Sequence, residues 1–195
     1  MIDGKMYAGK LLGEIYPLSK KFLENFNRRP CLTVIQVGEN LASKIYVKNK
    51  ILTARKNGIE SKEILLTSNV SEEELIRHLS ILNKDKNVDG ILVQLPLPKH
   101  ISEKKIINII NPSKDVDGFH PTNFGKLFMG DPRFIPCTPL GCLYMLKHEI
   151  KDIKGKNAVI IGRSNIVGKP MASLLLSSDC SVTITHSKTK NIQEH

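Results

Sequence analysis

A chain of 195 residues, 41% hydrophobic and 25% charged, has the balance of an ordinary globular protein and room for one large domain or two small ones. Its formal charge of +10 raises the question of a nucleic-acid or membrane-surface partner, but the lysines are scattered and no block of like charges occurs. Aromatic residues are only 5% with no Trp, a poor supply for base stacking, so neither nucleic acid nor membrane is expected; the basic surface suits a polyanionic small ligand.

Cys31, Cys137, Cys142 and Cys180 form no C-x-x-C pair, and no His pair has metal-ligand spacing. Reduced thiols and no metal are expected. Residues 1–20 are broken by charges and glycine and hold neither a signal-peptide core nor a membrane span, so a cytoplasmic location is expected.

In chain order, Met6, Leu11, Ile15, Leu18, Phe22 and Phe26 recur near helical spacing from about Gly4, with Pro17 a candidate kink. Cys31 to Gly38 reads as a buried strand. Residues 41–57 are helical and stop at Asn57-Gly58. Glu63 to Thr67 is a second strand, and Ser71 opens a helix as a capping box with Glu74. Ile91 to Leu95 is a third strand, followed by a helix over Ser102 to Ile110. Residues 112–139 hold five prolines and read as a long functional loop or linker. A helix over about Leu140 to Glu149, a strand at Asn157 to Ile161, a helix over Pro170 to Ser177 and a strand at Ser181 to Thr185 complete the series. Strands alternating with helices predict an α/β fold with parallel pairing, and near-continuous apolar strands say that both sheet faces are covered. The expected division is a first domain over 1–139 and a second over 140–195.

Ser43, Tyr46 and Lys50 stand at offsets that put them on one helical face, where a phenol and an amine four residues apart can handle protons. An ordinary lysine, with a pKa of about 10.4, is a poor base at neutral pH unless an apolar cleft penalises its charged form. By spacing alone, an amphipathic helix with a solvated lysine and a half-buried tyrosine is the favoured reading of the trio. Y-x-x-x-K also marks short-chain dehydrogenases, but there the Gly-rich turn precedes the pair, whereas here it follows. Gln94 lies in an apolar strand before Leu-Pro-Leu-Pro; it is either a satisfied structural amide or a group at a strand's C-terminal end, where open α/β sheets bind ligands. Asp115 and Asp117 flank Val116, and alternation aims them to opposite sides; either is also a plausible local turn cap.

Y-V-K-N-K, V-Q-L-P-L-P, P-S-K-D-V-D-G-F, P-C-T-P-L-G and G-R-S-N-I-V-G-K-P follow one another along the chain. The series resembles the bifunctional methylenetetrahydrofolate dehydrogenase/cyclohydrolase family over essentially its whole length. The resemblance implies an N-terminal three-layer βαβ folate-binding domain followed by the first part of a Rossmann-like NADP-binding domain. It implies interconversion of 5,10-methylene-, 5,10-methenyl- and 10-formyltetrahydrofolate, a folate substrate, and a homodimer. Carried over by match, Lys50 is the catalytic lysine and Gln94 the glutamine that tunes it. Tyr46 packs on the folate ring system, Ser43 is a polar residue of the same face, and Asp117 holds the pterin's donor nitrogens. Pro136 belongs to the loop beside the cleft.

Gly162-Arg163-Ser164-Asn165-Ile166-Val167-Gly168 follows a strand and precedes a helix; it is not G-x-G-x-x-G, but such a turn can set a phosphate against backbone N–H groups at a helix N-terminus. The next strand ends at Thr185-His186-Ser187-Lys188 without the acid that normally holds an NAD ribose. Arg163 and Ser187 suit a 2′-phosphate, so NADP is the expected cofactor, with Gly162, Ser164 and Gly168 in the phosphate turn. Family members continue beyond the point matched by His195. The expectation is therefore weak or absent dehydrogenase activity and a tendency to aggregate, with an inactive remnant retaining folate or dimer contacts as the alternative.

Overall fold

The computed structural model describes residues 2–195, apart from the side chain of Ala42; residue 1 of the expected first domain lies outside the described residues. The chain divides into two compact units, residues 5–116 and residues 117–195 with the start of the chain through Gly4.

In the first unit, α1 (Gly4–Phe26) carries Pro17 within it. The strands β1 (Cys31–Val37), β2 (Glu60–Leu66) and β3 (Gly90–Val93) alternate with α2 (Leu41–Lys56), α3 (Glu72–Lys84) and α4 (Glu103–Ile109). The sheet order is β2-β1-β3, all parallel, with Leu32 opposite Gly90 and Cys31 opposite Glu60. Central β1 is buried on both faces, as its unbroken apolar run requires. On one face Ile35 and Ile91 pack with Leu75 and Leu79 of α3 and Ile106 of α4. On the other, Val34 and Leu92 pack with Val47 and Ile51 of α2. This is the three-layer arrangement expected. Ser71 Oγ accepts from Glu74 N–H at 3.1 Å, which fixes the start of α3.

The second unit corrects one expectation. Residues 112–139 are not a structureless linker: α5 (Pro121–Phe128) lies within them, and α6 (Cys137–Glu149) begins three residues before the expected start at Leu140. His120 caps α5 by accepting from Thr122 N–H, and Pro121 occupies the first turn, where its missing donor costs nothing. The sequence division at 139/140 thus falls inside this unit. β4 (Asn157–Ile161) and β5 (Ser181–Thr185) pair in parallel, joined by α7 (Gly168–Leu176). Ala158, Ile160 and Val182 join Leu127, Leu143, Met171 and Leu174 in the core, while Val159 and Ile161 on the other face of β4 are exposed.

Candidate functional site

The first unit brings two of the expected residues into direct contact. Lys50 lies on α2 and Gln94 one residue past the end of β3, and Lys50 Nζ donates to Gln94 Oε1 at 3.1 Å. The Gln94 amide is held by its own second bond, Nε2 to Leu95 O at 2.8 Å, and its backbone N–H donates to Ile35 O at 2.9 Å. That tie to β1 extends the sheet hydrogen bonding one residue beyond β3. It sets Gln94 at the carboxyl end of the strands, where open α/β sheets take ligands. Both side chains are half-buried, so the amine reaches a protected acceptor while keeping access to solvent.

Local capping orients α2. Asn40 Oδ1 accepts from Ser43 N–H at 3.1 Å, and Gly38, with φ of +77°, makes the turn out of β1. The three expected residues of α2 differ in exposure: Ser43 is buried, Lys50 half-buried and Tyr46 64% exposed. They share one side of the helix, but Ser43 faces the core beside Val47, whereas the Tyr46 ring stands in solvent. Ile45 and Leu41 are exposed as well, so this end of α2 carries uncovered apolar surface.

Asp115 pairs through a backbone bridge with Ile91 and is buried, so the segment after Asn111 continues the sheet beyond β3. Asp117 belongs to the second unit, and its side chain is half-buried. The neighbouring Gly118 has φ of +68°, and a Cβ there would lie 3.0 Å from Pro136 N. The Asp117-Gly118 turn is thereby packed on the buried Pro136, the residue that caps α6.

In the nucleotide turn, Gly168 is demanded by geometry: a Cβ there would stand far inside van der Waals contact with Gly162 O. Ser164 Oγ accepts from Val167 N–H and Gly168 N–H, and Ser164 O accepts from Lys169 N–H at 3.0 Å. With Pro170 next, the first amides of α7 are already occupied or missing. The backbone donors without a partner among the described residues lie instead in the loop over 163–166. The β4–β5 pairing ends with Ile161 opposite Thr185, and Gly162 N–H donates to Thr185 O at 2.7 Å. Arg163 and Ser187 are both exposed past the carboxyl ends of neighbouring parallel strands. A guanidinium and a hydroxyl following the ends of adjacent parallel strands are groups that can bind a phosphate.

Elsewhere, a cavity of about 1090 Å³ lined by Arg28, Arg55, Glu60 and Lys62 lies where β2 begins, whereas Gln94 follows the end of β3. Beside it Arg28 grips Asp89 at 2.7 and 2.8 Å, and Asp89 also accepts from Cys31 N–H; the guanidinium, ahead of the backbone bond, holds the Asp89 carboxyl below its usual range. Among the described residues no group of three or more His, Cys, Asp or Glu is placed to hold a metal ion, and no helix is long and apolar enough to cross a membrane.

Sequence reasoning places Ser164 in the nucleotide turn but does not reveal that its side chain organises that turn. It passes over Gln36 altogether, a carboxamide inside the apolar run of β1 that is fully buried. The only signal for Gln36 is a polar residue in an otherwise apolar strand.

Comparison with known proteins bears on the family and the fold. Residues 2–117 match the catalytic domain of tetrahydrofolate dehydrogenase/cyclohydrolase, and residues 136–195 match the NAD(P)-binding domain of the same family. The bifunctional protein FolD of Streptococcus agalactiae is 50% identical over 194 residues, covering 100% of this chain and 68% of that protein. The crystal structure of the bifunctional FolD enzyme, methylenetetrahydrofolate dehydrogenase/cyclohydrolase, from Campylobacter jejuni superposes with a TM-score of 0.93 at 46% identity, over 97% of this chain and 67% of that one. The Trypanosoma brucei N5,N10-methylenetetrahydrofolate dehydrogenase-cyclohydrolase, solved with NADP cofactor and an inhibitor, superposes with a TM-score of 0.92 at 34% identity, over 97% of this chain and 65% of that one. The chain thus spans about two thirds of the length of these relatives. It belongs to the tetrahydrofolate dehydrogenase/cyclohydrolase family.

Proposed function

We propose that this chain acts in one-carbon folate metabolism, hydrolysing 5,10-methenyltetrahydrofolate to 10-formyltetrahydrofolate. In the same reading it contributes to NADP-linked oxidation of 5,10-methylenetetrahydrofolate. The observation that carries it is the Lys50–Gln94 hydrogen bond at 3.1 Å, at the carboxyl end of a parallel sheet in a member of this family.

The methenyl carbon is already an electrophilic cation, so hydrolysis needs a placed water and a group that moves protons. Water adds to that carbon and loses a proton to the Lys50 amine. That proton passes to the ring nitrogen as its bond to the carbon breaks, while the remaining hydroxyl proton of the adduct is released to solvent, leaving the formyl group on the other nitrogen. Gln94 Oε1 holds the amine by accepting one N–H and so fixes the direction of its lone pair or remaining protons. Tyr46 offers its exposed ring as a stacking face for the pterin, and Ser43 supports the same helix side from within. Asp117 is proposed, on its motif, to accept from the pterin's donor nitrogens, with Pro136 beside it.

NADP, when bound, supplies the hydride acceptor. Arg163 and Ser187 would take its 2′-phosphate, and Gly162, Ser164 and Gly168 shape the turn beneath its phosphates. Residues 1–139 are proposed as the folate-binding part and 140–195 as the nucleotide-binding part. A dinucleotide normally uses both halves of a doubly wound sheet, and β4 and β5 with α7 between them form part of one such half. A homodimer acting on free folates, without nucleic acid, completes the proposal.

The test is an absorbance assay of methenyltetrahydrofolate decay on the purified 195-residue chain, with parallel measurement of NADP reduction from methylenetetrahydrofolate. Decay above the uncatalysed rate is expected; a rate equal to buffer alone contradicts the proposal.

A further inference from the structure

Gln36 is the next-to-last residue of β1, the central strand. Strand alternation sets it on the same face as Val34, which packs with Val47 and Ile51 of α2 and Leu92 of β3. The register that pairs Val34 with Leu92 brings Gln36 opposite Gln94 when carried two residues further. Gln94 N–H bonded to Ile35 O shows that the pairing does run that far. Gln36 and Gln94 are thus neighbours on adjacent strands, on the face that α2 covers, with strand spacing of about 4.8 Å.

The Gln36 amide is fixed at one end. Its Nε2 donates to Gly38 O at 3.0 Å, bracing the turn from which α2 departs. That bond identifies the other amide atom as oxygen, and this Oε1 is buried without a hydrogen-bond partner. The residue as a whole is 1% exposed. Leaving a carbonyl oxygen so costs stability that an apolar side chain of similar volume would not. Its neighbour Gln94 spends one Nε2 proton on Leu95 O and has a second to give.

We infer that Gln36 is a positioning residue for the Lys50–Gln94 pair, its Oε1 being the acceptor for the second Nε2 proton of Gln94. With that bond made, the Gln94 amide is clamped on two sides and its oxygen is held toward the Lys50 amine. The relay runs Lys50 to Gln94 to Gln36 to the Gly38 turn, so the amine is referenced to the centre of the sheet as well as to its own helix. The inference rests on the hydrolase reading for its kinetic consequence, but not for its structural one.

The test compares the wild-type chain with Gln36→Leu in three measurements: kcat and KM for methenyltetrahydrofolate hydrolysis, the thermal midpoint, and the labelling rate of Lys50 by an amine reagent. Labelling is read by peptide mass spectrometry against the exposed neighbour Lys48 as internal standard. The expected result is a folded variant whose thermal midpoint lies at or below wild type, because the Gln36 bonds to Gly38 O and to Gln94 are lost. At the same time kcat falls about tenfold, the worth of one ordinary hydrogen bond, with KM little changed. The Lys50 rate shifts relative to Lys48. A Gln36→Leu chain with wild-type kcat and wild-type Lys50 labelling would overturn the inference. Absence of turnover in the wild type would count against the hydrolase reading alone, since the labelling ratio still decides the role of Gln36. Should Gln36→Leu fail to fold, Gln36→Met carries the same comparison with a more adaptable side chain.

Discussion

Lys50 Nζ donates to Gln94 Oε1 at 3.1 Å across 44 positions of the chain. Neither residue is held by its partner alone: α2 is anchored by Val47 and Ile51, and Gln94 by backbone bonding to β1. The pair is a meeting of two rigid elements, and preorganisation of that kind is what proton transfer to a placed substrate requires.

Gln94→Leu removes the acceptor and leaves the half-buried amine without its hydrogen bond. Hydrolysis of methenyltetrahydrofolate is expected to fall roughly a hundredfold, the lower end of what a positioned acid–base group contributes. The folate dissociation constant should move much less. Steady-state kinetics beside a binding titration separates the two, and an equal loss in both would mean that Gln94 serves binding only.

Arg163→Ala tests the nucleotide turn. A charge-assisted bond to phosphate is worth about 1.5–3 kcal/mol, so NADP affinity should drop about tenfold to a hundredfold while NAD affinity stays nearly constant. Calorimetric titration of both nucleotides on wild type and variant gives the ratio. Equal losses for the two would remove the 2′-phosphate from the account.

Two glycine substitutions should move stability in opposite directions. Gly168→Ala forces a Cβ into Gly162 O and is expected to cost about 1–3 kcal/mol or more. Gly13→Ala, inside α1 with nothing within 4 Å of the added atom, should gain about 0.8–1 kcal/mol through helix propensity. Denaturant midpoints with unchanged slopes are the readout.

The Arg28–Asp89 pair gives the acid limit. Because the Asp89 carboxyl is held below its usual range, its contribution is fully present above the unfolded value of about 3.9 and is lost as pH falls through the lower folded value. Asp89→Asn should therefore lower stability at pH 7, by on the order of 1 kcal/mol after allowance for a side chain about a third exposed, and the deficit should vanish at low pH. A deficit independent of pH would assign the effect to packing.

Much of this was legible in the sequence where local signals were strong. The strands at Asn157–Ile161 and Ser181–Thr185 are read to the residue because apolar β-formers stand between turn residues, and the Ser71 cap is visible as a side-chain pattern. The start of β2 at Glu60 was hidden because Glu60, Lys62 and Glu63 make it look like loop; such charges are what an edge strand carries against unwanted pairing. α5 was hidden by prolines that sit before and after it as well as at its first turn. The unpartnered oxygen of Gln36 could not be read at all, since whether a buried amide finds partners is settled by the neighbouring strand and helix, not by its own segment.

The account turns on Lys50. The direct measurement is methenyltetrahydrofolate decay catalysed by Lys50→Met, with circular dichroism and folate binding followed on the same sample. Loss of hydrolysis to the buffer rate, with secondary structure and folate affinity retained, is the predicted result. Hydrolysis at the wild-type rate by a folded Lys50→Met chain would contradict it.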